Sequence, residues 1–262
     1  MPTLTELLEM PPRNHHEVEV SPGAVQATLD DLGSPGALAS VARDPYWPKW
    51  DSPWWHMALL HELGLSPLIP AALAQAMAAA LQGTYTRPSP HSSMVSTLPP
   101  LEAMLGSTER PFTPEETAFL DAGANYLLQR RLCRSLSKGA LIDESWLTPT
   151  FPRFYEYDVL RGLRFLLGWA RRLSRPLPWS AIEEVVRHLH EAFTGDTVEP
   201  RDWARQQLTL PAVGRAPLTP ASLFPLLEEA LRPEVAHTYL QREWHAVLLD
   251  LRHLHTSQTP TV

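Results

Sequence analysis

The chain has 262 residues, enough for one large domain or two small ones. Hydrophobic residues at 44% and charged residues at 19% exclude an intrinsically disordered chain, and a core of this size needs no disulfide or metal to hold it. The formal net charge of -7, with no run of five basic residues, speaks against a nucleic-acid-binding surface, and the single cysteine, Cys133, excludes an internal disulfide framework or a multi-cysteine zinc site.

Residues 1–22 are polar and irregular, with Pro11, Pro12 and Pro22. They are read as a loose N-terminal arm with one short helix at Leu4–Met10, ahead of a single domain over 23–262. No basic stretch followed by an apolar stretch marks a signal peptide. The longest apolar candidate, Leu68 to Leu81, carries Pro70 and Gln75, so no transmembrane helix is expected. A cytoplasmic location is the expectation.

Short helices are predicted at 24–32 and 36–43, separated by the turn Gly33-Ser34-Pro35-Gly36. Trp55 to Leu63 carries apolar residues at 55, 58, 59 and 63, one face of a helix. Ala71 to Leu81 is rich in alanine, the best helix former. Met94 to Leu105 has an apolar stripe, with Pro99 and Pro100 expected near a helix start or a kink. Glu115 to Arg134 is long and amphipathic, with Phe119, Ala122, Tyr126 and Leu127 expected inward. Thr113-Pro114-Glu115-Glu116 is its start signal. Asp158 to Leu173 is apolar at 159, 160, 163, 166, 167, 170 and 173, with Arg161, Arg164, Arg171 and Arg172 off that stripe. Ser180 is read as the cap of a helix to Phe193, and Thr219-Pro220 as the start of another to Leu231. A last helix from Pro233 sets Leu240, Trp244, Val247, Leu248, Leu251 and Leu254 on one face. Period-two alternation is weak throughout, so the fold class is all-α.

The helices also resemble one another. Trp54 to Gly64, Leu98 to Gly106 and Asp158 to Gly168 share a polar or aromatic start, an apolar helix and a closing Leu-Gly. Each glycine is expected to be a left-handed cap. Alternating helices of two types predict helical hairpins stacked into a curved array or ring.

Three ordered segments carry a likeness to a known family. They are Lys49-Trp50-Asp51-Ser52-Pro53-Trp54-Trp55-His56-Met57-Ala58-Leu59-Leu60, His91-Ser92-Ser93-Met94-Val95-Ser96-Thr97-Leu98 and Phe151-Pro152-Arg153-Phe154-Tyr155-Glu156-Tyr157-Asp158-Val159-Leu160-Arg161-Gly162-Leu163. Together they resemble a bacterial branch of the prenyltransferase-like and squalene-cyclase-like α/α-toroid proteins, over about residues 45–195. The resemblance implies a ring of helical hairpins around an apolar central cavity. The chain departs from the family in its chemistry. The aspartate-rich acid motif of the cyclases is absent, Asp30-Asp31 being only a pair. The repeated glutamine–tryptophan motifs are absent too, and nothing near Cys133 matches the zinc ligands of protein prenyltransferases. No catalytic residue is carried over.

Candidate chemistry therefore rests on the residues themselves. Asp158 is read either as an acid at a cavity mouth, its pKa raised by burial among Phe154, Tyr155 and Tyr157, or as an N-cap held by the helix dipole. Arg153 is placed to pair with it in both readings. In His91-Ser92-Ser93, the histidine is a candidate general base and the serines are ligand donors, or else the serines cap the next helix. Trp47, Trp50, Trp54, Trp55 and His56 form an aromatic cluster that would bind an isoprenoid or a cation, or would pack loops onto the core. The binding-site set is Trp54, Trp55, His56, His91, Ser92, Arg153, Tyr157 and Asp158, with Asp158, His91 and His56 the candidates for catalysis. The pairs His188/His190 and His253/His255 point about 200° apart on a helix and do not share a metal, so neither metal nor cofactor is expected.

The leading expectation is binding of, or chemistry on, an apolar, isoprenoid-like molecule in a central helical cavity. The alternative is a non-catalytic helical scaffold or protein-interaction module. A nucleic-acid reading would require the arginines to gather on one face in space.

Overall fold

The computed structural model describes residues 20–84, 93–106, 110–194, 208–209, 219–220 and 223–258. Its helices in chain order are α1 (Pro22–Leu32), α2 (Pro35–Arg43), α3 (Pro53–Glu62), α4 (Ala71–Thr84), α5 (Met94–Gly106), α6 (Pro114–Gln129), α7 (Val159–Leu173), α8 (Trp179–Thr194), α9 (Pro225–Ala230) and α10 (Pro233–Gln258). Single 3-10 turns lie at Ser66–Leu68 and Glu144–Leu147. Among the described residues, strands are limited to a two-residue antiparallel pair, Leu208–Thr209 with Thr219–Pro220. The class is all-α, as expected. No helix among the described residues is long and apolar enough to cross a membrane. The Leu4–Met10 helix lies outside the described residues.

Proline sets most helix starts. α1, α2, α3, α6, α9 and α10 each open on one. At that position the missing N–H would have had no helical partner, and the fixed φ is already helical. Ser21 and Ser34 accept hydrogen bonds from Ala24 N and Ala37 N to close the first turns of α1 and α2. Thr113 and Glu116 form a full capping box on α6.

Several expectations change in three dimensions. Thr219-Pro220 is in the short strand pair, and the helix after it starts only at Pro225. Ser180 lies inside α8, which begins one residue earlier, since Ala181 N already bonds Pro178 O. Of the two places expected for Pro99 and Pro100, a helix start is excluded, since both lie within α5. Ser93 begins that helix by accepting from Ser96 N. Leu98 and Leu101 face the core, while Ser96 and Pro100 are exposed. α6 is turned from its expected orientation. Leu120, Gly123, Ala124 and Leu127 are buried, whereas Ala122 is exposed and Phe119 is 44% exposed. The close fit of Gly123 decides this face: a Cβ there would sit 2.3 Å from Leu101 Cδ1 on α5.

The three Leu-Gly glycines do different work. Gly64 (φ 78°) is left-handed after α3, as expected. Gly106 is the last residue of α5. Gly168 lies inside α7, where an added Cβ would be 3.0 Å from Leu105 Cδ2. It is a contact point with α5 and not a cap. Ser174 (φ 51°) takes the left-handed position that ends α7.

α7 is the most deeply buried helix and packs against four others. It touches α5, α6, α8 and α10. Val159, Leu160, Leu163, Leu166 and Leu167 are fully buried along it. Its arginines emerge on the side shared with α5 and α10, and that side is where the candidate site lies.

Candidate ligand cleft

A cleft of about 1020 Å³ opens between the C-terminal ends of α3 and α5 and the facing sides of α7 and α10. Helical spacing explains its lining. On α7, Arg161, Arg164, Gly168 and Arg171 recur three or four residues apart, so they share one edge. On α10, Tyr239, Arg242, Glu243, Ala246, Val247 and Asp250 do the same. Gly168 keeps the middle of the α7 edge low, and Leu105 and Phe165 add apolar wall.

Charged groups at the rim are mostly paired. Arg161 is held by Glu102 at 2.6 Å and donates to the carbonyls of Glu156 (2.6 Å) and Phe154 (3.3 Å). Arg171 pairs with Asp250 at 2.6 Å. Arg164 pairs with Glu243. Arg172 donates to Leu105 O at the C-terminal end of α5, where a cation also meets the helix dipole, and it lies over the Phe112 ring.

Arg153 is the deepest of these groups, at 3% exposure. Its Nε donates to Asp158 Oδ2 at 2.7 Å, and its Nη1 meets Glu243 Oε2 at 2.6 Å. Its Nη2 is buried without a hydrogen-bond partner. Burial alone would pull the guanidinium down, but the charge and hydrogen bond of Asp158 hold it above the ordinary arginine value. Glu62 faces the same cleft. Its carboxylate accepts from the backbone N–H groups of Arg153 (2.8 Å) and Phe154. Burial still raises it above the ordinary glutamate value, against the lowering effects of Arg161 and those two amides. Tyr239 donates to Glu62 O at 3.0 Å and stacks on Phe151. Burial raises its hydroxyl, offset by the nearby charges of Arg153, Arg164 and Arg242.

The structure distributes the residues expected at a site over three places. Of the described members of that set, Arg153 alone lines the cleft. Asp158 is behind it, fully buried, as the N-cap of α7. Oδ1 accepts from Arg161 N at 2.8 Å, and Oδ2 accepts from Thr150 N and Arg153 Nε. Tyr157 is buried and donates to Leu132 O at 2.6 Å. Trp55 and His56 belong to a second cluster under the loop before α3. Trp55 donates to Tyr46 O and lies edge-on to Trp50 and Phe154. Lys49 Nζ, near the rings of Trp50, Trp55 and Tyr155, donates to Tyr155 Oη at 2.8 Å, so the cation of this aromatic box comes from the chain itself. His56 donates from Nε2 to Trp50 O at 3.0 Å, with Nδ1 3.3 Å from Asp31. It stacks on Phe224, and burial lowers its pKa, partly countered by Asp31. Trp54 is half-buried against the core. His91 and Ser92 lie outside the described residues.

Sequence reasoning missed Glu62, Tyr239, Arg242 and Glu243. The arginines off the α7 stripe were the available signal, since four cations on one helix edge need a counterpart. Carboxylates from α5 and α10 supply it, so the arginines share a face without forming an unbroken basic surface. His188 and His190 make separate contacts, with Leu147 O and Thr194. Among the described residues, no group of three or more potential ligands is placed to hold a metal ion.

The fold and the site define an all-helical protein with an arginine-rimmed cleft beside its central helix. Comparison with protein-family models, curated proteins and solved structures finds no match.

Proposed function

We propose that the protein binds a small molecule with an apolar body in the cleft between α7 and α10. The cleft itself carries this reading. Its volume of about 1020 Å³ is at the upper end for small-molecule sites, and Leu63, Leu105, Phe165 and Val247 give it apolar wall between charged groups. An isoprenoid-like ligand is one member of the class. The toroid-like closure of the hairpins and a cytoplasmic setting belong to the same proposal; the free, buried thiol of Cys133 is in keeping with a reducing compartment.

The second reading is a non-catalytic scaffold. The hydrogen bonds of Asp158 and His56 favour it, because those groups are already committed to holding the chain. One experiment separates the two. An environment-sensitive apolar dye is titrated into the protein and into Ala246→Trp, which fills the cleft from the exposed side of α10. Saturable binding that the substitution abolishes, with the helical circular dichroism unchanged, is expected. Absence of saturable binding, or binding indifferent to Ala246→Trp, sinks the cleft reading in favour of the scaffold.

A further inference from the structure

The charges of the cleft do not balance. Its six arginines face Glu62, Glu102, Glu243 and Asp250, with Asp158 behind Arg153. Ionised, this set leaves one positive charge in excess, on a protein whose net charge is -7. The excess can be located. Arg153, Arg161, Arg164 and Arg171 each have a carboxylate. The charge of Glu62 acts on Arg161 and Arg153, and Arg172 donates to the carbonyl end of α5. Arg242 has no carboxylate partner among the described residues. It is exposed, and its guanidinium lies 5.4 Å from the centre of the Tyr239 ring. Its charge acts on the same tyrosine hydroxyl as that of Arg153. Arg153 in turn supplies a second observation, its buried and unpartnered Nη2. A buried donor left without an acceptor is costly, and an incoming acceptor would relieve it.

From this we infer that the Arg242 end of the cleft, which Arg153 also lines, takes the carboxylate of an aliphatic monocarboxylic acid. The inference rests on the cleft reading above and adds the head group. One unit of excess charge matches a monoanion. The planar fork of a free arginine matches the two oxygens of a carboxylate. Leu63, Leu105, Phe165 and Val247 line the same cleft, where the hydrocarbon body would lie. A phosphate monoester brings a second negative charge that the cleft does not balance.

Three ligands with one chain length test this: decanoate, decanol and decyl phosphate, titrated by calorimetry at neutral pH. Decanoate should bind roughly ten-fold or more tighter than decanol, the worth of one charge-assisted contact. It should also bind at least as tightly as decyl phosphate. Arg242→Gln should bring decanoate down to the level of decanol. Arg110→Gln, in a surface ion pair with Glu116, is the control and should change nothing. Equal binding of decanoate and decanol overturns the head-group inference and leaves the cleft reading standing. Clear preference for decyl phosphate overturns the choice of carboxylate. Failure of all three to bind overturns both the inference and the reading beneath it.

Discussion

Glu116 illustrates how much one side chain gathers from local geometry. It accepts from Thr113 N as half of the capping box and is gripped by Arg110 through two bonds, at 2.6 and 2.8 Å. The Arg110 hydrogen bonds first, and the Thr113 amide second, hold its carboxyl down to about 2, against an ordinary 4.5. A carboxyl depressed on folding stabilises the native state above the ordinary value, and the contribution is lost as pH falls through the folded one. The stability difference between the protein and Glu116→Gln should therefore be present at pH 5 and disappear between 4.5 and about 2. Urea midpoints measured across that range at low salt check it, and a difference that persists below pH 2 would show that the pair is not its source. Arg153 and Asp158 mark the opposite case. They were legible as a pair because they lie five positions apart across a helix start. Burial of Asp158 belonged to one of its two readings; the burial of Arg153, which makes it part of the cleft wall, was not legible.

At the scale of elements, glycines distinguish helix ends from helix contacts. Gly106 ends α5 with open space where a Cβ would go. Gly162, inside α7, leaves none: a Cβ would meet Tyr157 Oη at 2.4 Å and Leu132 Cδ2 at 2.9 Å. The Tyr157 hydroxyl cannot retreat without releasing Leu132 O. Gly106→Ala should change stability by about 0.5 kcal/mol or less, or raise it slightly through helix propensity. Gly162→Ala should cost about 1–3 kcal/mol by overpacking. Urea denaturation of the two variants provides the comparison, and equal effects would refute the assigned contact. In the sequence both glycines follow or sit within an apolar helix run. Which one is a cap depends on the neighbour, and the neighbour is not in the run.

For the whole molecule, α7 concentrates the burial. Leu163 is fully buried on it, while Leu136, in the turns after α6, is 58% exposed. Leu163→Ala should lose about 2–5 kcal/mol, transfer and cavity terms together. Leu136→Ala should stay within about 0.5 kcal/mol. Comparable losses in denaturant midpoint would mean that α7 is not the centre of the core. The same helix presents its other edge to the cleft, so the element that carries the core also sets Arg161, Arg164 and Arg171 against Glu102, Glu243 and Asp250.

The amino-acid sequence by itself determined the all-α class, most helix starts and the two faces of α7. These are local properties: proline at the first turn, a serine or threonine before it, and apolar residues at a 3.6-residue period act within a few positions of each other. Tertiary structure alone decided the buried face of α6, the role of Gly168 and the cleft. Tyr239 and Glu62 meet across 177 positions, and Glu243 reaches Arg164 across 79. No periodicity within one helix encodes such meetings, because they depend on how separate helices pack around α7 and on which charges that packing leaves unmatched.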